Sequence, residues 1–353
     1  MYIMTNPIRG RGAATNPENR FNSIHLQYDK DEETGSLEKP KTVLIPDHTS
    51  QIISRNNSPD IPFDVSVNPY RGCEHGCVYC YARPSHEFLG FSAGLDFESK
   101  IIVKHDAPKL LKRELSKKSW KPQALIMSGI TDPYQPVEKK LKITRGCIGV
   151  LAECNHPLVI ITKNTLVTRD IDLLVHLAGI NAVKVAISIT SLDESLTAIM
   201  EPRTSRPRKR IQAVRELSEA GIPVHVNIAP VIPGITDNEI VPIMEAVTEA
   251  GAKSVSIVNL RLPMAVQDIF TKWLDDHHPN RKNKVLNRIR SLKNGKLNLW
   301  EFGERFKVYG PFAEQMKQLV QIHAKRLGLN QESTPLSTEY FKRPVTGQMN
   351  LFN

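Results

Sequence analysis

No apolar run in the 353 residues approaches the roughly 18 to 20 needed to span a bilayer. The opening MYIMTNPIRGRG carries no apolar core of the kind a secretory signal has. Membrane and export readings are therefore set aside, and a cytoplasmic chain is expected. Cysteine is scarce: there are five, an odd number, where disulfide scaffolds spread an even number through a short secreted chain. No internal repeat is visible. What is present is an ordinary globular composition, with 40% apolar residues and 19 glycines, enough for a real core. The length allows one large domain or two ordinary ones. Lys and Arg number 47 against 37 Asp and Glu, leaving a net charge of +10. A surplus of that size suits an anionic partner and serves equally as a solubility device.

Residues 1–60 read as an extension: GRGAATNPENRF, DKDEETGS and RNNSPD are turn-rich and polar, with one short apolar piece at Val43–Ile45. From Val65 onward, short β-branched runs alternate with amphipathic stretches. Strands are expected around Ser66 and over Ala124–Met127, Leu158–Thr162, Val183–Thr190, Val224–Ile228 and Ser254–Asn259. Helices are expected between them, over Ala107–Lys117, Thr144–Glu153, Asp170–Ala178, Arg208–Ala220 and Asp237–Glu249. Strands alternating with helices imply βαβ units and a parallel sheet, here of six units, too few for an eight-fold barrel. After Pro263 the strands stop; Val266–Leu274, Lys284–Leu292 and Pro311–Leu327 look helical, and Thr334–Asn353 is a polar tail. Seven basic residues and no acidic one fall between Arg281 and Lys296, either a solvated helix face or a phosphate-contacting surface.

Three of the five cysteines, Cys73, Cys77 and Cys80, fall within eight residues as C-x3-C-x2-C. That spacing lets three thiolates converge from one loop. A [4Fe–4S] cube usually takes four thiolates, so three leave one iron open to a substrate or cofactor. The loop follows an expected strand, which sets it at the sheet's C-terminal edge, where α/β active sites gather. The alternative is zinc with His75 or His86 as a fourth ligand, although no second ligand pair appears at zinc-site spacing. Cys147 and Cys154 lie seven apart in KITRGCIGVLAEC and read as small buried hydrophobes.

With Tyr79 before its third cysteine, this motif resembles the signature of radical S-adenosylmethionine (SAM) enzymes. The similarity extends to the spore photoproduct lyase-like branch, sometimes called DNA repair photolyases. It rests on Cys80-Tyr81, Thr131-Asp132 after the second strand, Ile161-Thr162-Lys163 at the third, Ser188 in the fourth, Glu201-Pro202-Arg203-Thr204-Ser205-Arg206 and Ala229-Pro230. The resemblance implies an α/β fold, a partial (β/α)6 TIM-type barrel over residues 61–263. The irregular N-terminal extension precedes it, and a mainly helical, basic C-terminal region, 264–353, follows. It also implies site roles. Cys73, Cys77 and Cys80 would bind the cluster, Thr131 and Asp132 the SAM amino end, and Lys163 the SAM carboxylate. Ser188 would hydrogen-bond the ribose or methionyl part, Tyr79 would flank the adenine, and Tyr81 would relay the radical. Each has a plainer reading: a strand-end lysine, an Asp-Pro turn, a tolerated small residue, a packing tyrosine.

One departure accompanies the match. The lyase has a cysteine three residues before that aspartate, which returns a hydrogen atom to the substrate radical; here the position is Gly129, whose side chain cannot donate that hydrogen. The expected function is therefore reductive cleavage of SAM to a 5′-deoxyadenosyl radical that takes hydrogen from a substrate, without photoproduct lyase activity. A flavodoxin- or ferredoxin-type donor would supply the electron. A nucleic acid base is one expected substrate, favoured by the charge, with a peptide or small molecule as the others. The competing reading is a nucleic-acid-binding protein whose cysteines hold a structural metal without turnover. The segment Asp132-Pro133-Tyr134-Gln135-Pro136-Val137-Glu138 is expected to shape the substrate end.

Overall fold

The computed structural model describes residues 10–21, 40–331 and 334–345. The stretch DKDEETGS, at 29–36, and the end of the polar tail lie outside the described residues. The strands are β1 (Val43–Pro46), β2 (Ile53–Arg55), β3 (Val65–Val67), β4 (Tyr70–Arg71), β5 (Lys100–Val103), β6 (Leu125–Met127), β7 (Leu158–Thr162), β8 (Val183–Ile189), β9 (Val224–Val231) and β10 (Ser254–Asn259). The helices begin with α1 (Leu95–Ser99), α2 (Ala107–Ser116), α3 (Glu138–Leu141), α4 (Ile143–Glu153) and α5 (Ile171–Gly179). They continue with α6 (Glu194–Met200), α7 (Pro207–Glu219), α8 (Ile240–Glu249), α9 (Val266–His277), α10 (Lys282–Leu292) and α11 (Pro311–Arg326).

The main sheet runs β10-β9-β8-β7-β6-β3-β2. From β3 to β10 every neighbour is parallel, and β2 closes one side antiparallel to β3. These are the six parallel strands the sequence predicts, in an α/β barrel left open between β10 and β2. The central strand β8 is buried over almost its whole length, as a parallel strand covered on both faces must be. The helices follow from apolar spacing. In α7, Pro207 opens the first turn, and Arg210, Ala213, Val214 and Leu217 recur at three- and four-residue steps on the buried face. Leu217 is fully buried, and removing such a side chain costs about 2 to 5 kcal/mol. Cys147 and Cys154 are free and buried in this core.

The extension contributes more order than its composition foretells. β1 pairs parallel with β5, which pairs antiparallel with β4, making a small second sheet beside the cysteine loop. At the other end of the chain, residues 334–345 cross the N-terminal side of the barrel. There the Lys342 amide donates to the Cys154 carbonyl and Phe341 meets His156 edge-on. The open edge of β10 is met by Asn330. Its side-chain oxygen accepts from the Val255 amide at 2.8 Å and its side-chain nitrogen donates to the Val255 carbonyl at 3.1 Å.

Candidate functional site

The cysteine loop leaves the C-terminal end of β3 and is pinned from several sides. The Cys73 amide donates to the Phe97 carbonyl, the Val78 amide to Met200, and the Arg203 amide to the His75 carbonyl. Gly76 turns the chain at φ +69, and a Cβ there would stand 2.7 Å from Glu98 Oε2, so only glycine fits. Behind the loop, Arg83 and Glu98 form a fully buried pair at 2.5 Å. Arg83 also donates to the Cys77 carbonyl at 2.9 Å, while Glu98 accepts the amides of Gly12 and Ala13 at 3.0 and 2.8 Å. The N-terminal segment is thus a strap seated on the back of the loop. Its fit is tight: a Cβ on Gly12 would stand 1.7 Å from the Gly76 carbonyl oxygen.

The thiols of Cys73 and Cys77 are buried and that of Cys80 is half-buried. Burial pushes all three thiols up, and at Cys73 the neighbouring Asp132 carboxylate adds to the effect. Among the described residues, no three His, Cys, Asp or Glu side chains meet closely enough to hold a single metal ion. Zinc needs its thiolates about 2.3 Å from one point, whereas a four-iron cube takes thiolates on separate irons. Two nearby groups that could add a ligand are committed elsewhere: the ring nitrogens of His75 face Asp132 and Asn164, and Glu74 accepts from Arg203, Thr42 and the Val137 amide. His86 lies against the rings of Phe91 and Phe97 with both ring nitrogens buried and without a hydrogen-bond partner, and it joins no group of three ligands among the described residues. Three thiols without a fourth protein ligand fit an iron–sulfur centre.

Asp132 is the most heavily engaged of the expected SAM-contacting residues. Oδ1 accepts from Thr162 Oγ1 at 2.7 Å and from the Tyr134 amide at 2.9 Å; Oδ2 accepts from the Lys163 amide at 2.8 Å and faces His75 Nδ1 at 3.4 Å. Burial alone would raise its pKa, but these donors outweigh it and hold the carboxyl below the usual range. All its acceptor positions serve the fold, joining the cysteine loop to the end of β7. The Asp-Pro turn is real as well, since the Tyr134 amide closes it. Thr131 donates to the Gly72 carbonyl at 2.6 Å and accepts from Gln135, so it too anchors the loop. Tyr134, expected near the substrate end, is fully buried with its hydroxyl on Asp170, because segment 132–138 packs under the cysteine loop.

Lys163 extends from β7 across the barrel mouth. Nζ donates to the Ala229 carbonyl at 2.7 Å and Thr190 Oγ1 at 3.2 Å, lies 3.9 Å from Glu201 Oε2, and stands 5.6 Å from the centre of the Tyr79 ring. Burial lowers its pKa against the opposing pull of Glu201. The Tyr79 hydroxyl donates to Glu201 and lies 3.2 Å from Thr190. Ser188 sits on β8 opposite Asn227; its carbonyl accepts from Arg210 and its hydroxyl makes no hydrogen bond among the described residues. Tyr81 is 54% exposed and donates its hydroxyl to the Gly129 carbonyl at 2.7 Å. Gly129 stands at φ +130, and a Cβ placed there would find its nearest neighbour, on Asn68, 3.7 Å away, so its side is open.

The structure brings Tyr79, Lys163, Asp132 and the three cysteines around one mouth, and adds residues whose roles the sequence leaves unassigned. Glu201 is fully buried and joins Tyr79, Thr190, Lys163 and Arg210. Burial would raise its pKa, yet Arg210 and Lys163 hold it below the usual carboxylate range. Arg203 reaches Glu74 at 2.8 Å. The Glu-Pro-Arg-Thr-Ser-Arg run is visible as a motif; its contact partners, more than a hundred residues away in the chain, are not.

Among solved structures, the fold is similar to spore photoproduct lyase complexed with dinucleoside spore photoproduct, with TM-score 0.57 and 14% identity, covering 81% of this chain and 80% of that one. A lyase variant with bound AdoMet and dinucleoside spore photoproduct is similar with TM-score 0.56 and 14% identity, covering 82% and 80%. The uncharacterized protein Rv2578c of Mycobacterium tuberculosis is 36% identical over 238 residues, 67% of this chain and 69% of that protein. The uncharacterized protein MJ0683 of Methanocaldococcus jannaschii is 33% identical over 173 residues, 49% and 62% of the two chains. The model of the radical SAM superfamily matches residues 67–247, the span that holds the cysteine loop, four of the six parallel strands whole and the residues around the mouth. The chain belongs to the radical SAM superfamily and is an enzyme of that class.

Proposed function

We propose that Cys73, Cys77 and Cys80 hold three irons of a [4Fe–4S] cluster and leave the fourth to S-adenosylmethionine. When bound, such a centre supplies the electron that splits SAM into methionine and a 5′-deoxyadenosyl radical, which takes hydrogen from the substrate. The chain's own residues bind, orient and enclose. Lys163, held at the mouth by Thr190, Ala229 and Glu201, is the cation that pairs with the SAM carboxylate. The free hydroxyl of Ser188 is a donor for the ribose or methionyl part, and the Tyr79 ring flanks the adenine. Thr131 and Asp132 act through the loop they fix: with their polar atoms committed to Gly72, His75 and β7, they set where the thiols stand. Tyr81 and Gly129 face the substrate, and a flavodoxin- or ferredoxin-type protein is the reductant.

The observation that carries this reading is the gathering of three thiols, with no fourth ligand, at the C-terminal end of the parallel strands beside a lysine. Protein reconstituted without oxygen should hold about four irons and four sulfides. Incubated with SAM and dithionite, it should release 5′-deoxyadenosine, and Cys77→Ala should abolish that release. Stoichiometric zinc in colourless protein, or Cys77→Ala cleaving SAM at the parent rate, would overturn the proposal.

A further inference from the structure

On its outer side, Tyr81 begins a run of alternating rings and guanidinium groups. Arg261 Cζ lies 5.9 Å from the centre of the Tyr81 ring and 4.4 Å from that of Phe306. Arg305 Cζ lies 5.7 Å from Phe306 and 4.9 Å from Phe302. The three rings are 40 to 66% exposed, an aromatic surface of a kind that folded chains usually cover. The loop that carries Phe302 and Phe306 is fixed in place. Asp60 accepts from the Gly303 amide at 2.9 Å and pairs with Arg305 at 2.8 Å, and Lys293, just after α10, donates to the Lys307 carbonyl at 2.8 Å.

The two arginines differ in charge balance. Arg305 has Asp60, whereas Arg261 makes no hydrogen bond or ion pair among the described residues, and its Nε is buried. Burial and the neighbouring Arg305 push the pKa of Arg261 down. Asp60 pulls the other way but is already paired with Arg305, and a half-buried cation without a bonded counter-charge of its own is costly, a cost that an anion from outside relieves. The basic helix α10 lies beside the loop, and Lys284, Arg290 and Lys296 have no ion-pair partner among the described residues.

We propose that this face docks a single-stranded nucleic acid, with bases stacked on Phe302, Phe306 and Tyr81 and a phosphate against Arg261. A single strand alternates planar faces with negative charges, as the surface alternates rings with cations. A duplex hides its base faces, and a free mononucleotide calls for an enclosed cavity rather than an open face. The inference rests on the radical-enzyme reading above in one respect: it names the substrate class, the base that reaches Tyr81 being set beside Gly129.

The test is an anisotropy titration of the anaerobic holoenzyme with a fluorescein-labelled single strand of roughly 12 nucleotides, made as DNA and as RNA. It needs no reductant and no turnover, so it stands or falls separately from SAM cleavage. The affinity should fall steeply with salt. Phe302→Ala and Arg261→Ala should each weaken it about tenfold, and Arg261→Ala should lower the salt slope by about one. Tyr340→Ala, which removes an exposed ring on the tail that crosses the opposite end of the barrel, should change nothing. Which of the two strands binds more tightly identifies the source. Unchanged affinity in Phe302→Ala and Arg261→Ala, salt-independent binding, or equal competition by duplex or mononucleotide would overturn the proposal.

Discussion

At the residue scale, Glu201 couples the site to the core. Its two oxygens face Arg210, Tyr79, Thr190 and Lys163, and both it and Arg210 are fully buried. Replacing one member of a buried ion pair leaves the other charge uncompensated, at a cost of about 3 to 5 kcal/mol. Glu201→Gln should therefore lower the urea midpoint more than Tyr79→Phe, which removes a hydrogen bond to a carboxylate worth about 1.5 to 3 kcal/mol. Equal midpoints for the two variants would count against this ordering. The contrast also shows what a sequence reveals at this scale. Cys73, Cys77 and Cys80 announce themselves because their spacing alone lets them converge. Glu201 does not, because its value lies in partners that only folding brings near. Asp132 is legible as a site residue, while its commitment to His75, Thr162 and the Lys163 amide is not.

At the scale of elements, periodicity explains the six parallel strands and their helices, which match expectation to within a few residues because burial imposes period two or 3.6 on the sequence. The short elements β4 and α1 and the strap at residues 11–13 leave no such trace. They are held by single amides and by a buried carboxylate, which impose no period. The strap makes a prediction of its own. Since a Cβ on Gly12 would overlap the Gly76 carbonyl, Gly12→Ala should unseat it and lose two amide contacts to Glu98. Two such hydrogen bonds are worth roughly 2 kcal/mol, so the open form should be at least about tenfold more populated. Limited trypsin digestion should then cut after Arg11 correspondingly faster, and an unchanged cleavage rate would show that the strap is held by something else.

For the whole molecule, burial sets the response to acid. His86 and His156 are fully buried and His225 is largely so; burial pushes all three pKa values down to about 4 from the ordinary 6.5, with Lys184 adding to the effect at His225. Above pH 6.5 these rings are neutral whether the chain is folded or not, so they contribute no slope. Below it the unfolded chain binds protons that the native state refuses, and stability falls until about pH 4, by an amount on the order of 3 kcal/mol per histidine. Urea titrations at pH 7 and pH 5 should show about 2 kcal/mol of that loss per histidine, and replacing His156 with Gln should flatten part of it. A midpoint that rises on acidification would contradict the assignment.

The incomplete ring of strands has a last consequence. A closed barrel has no free backbone rim, but this one ends at β10, where the side-chain amide of Asn330 stands in for the next strand at Val255. With its backbone amide on the Lys253 carbonyl as well, Asn330 occupies edge positions that another chain's strand would otherwise use, so a chain cut before it should present a raw strand edge and associate more readily than the full chain.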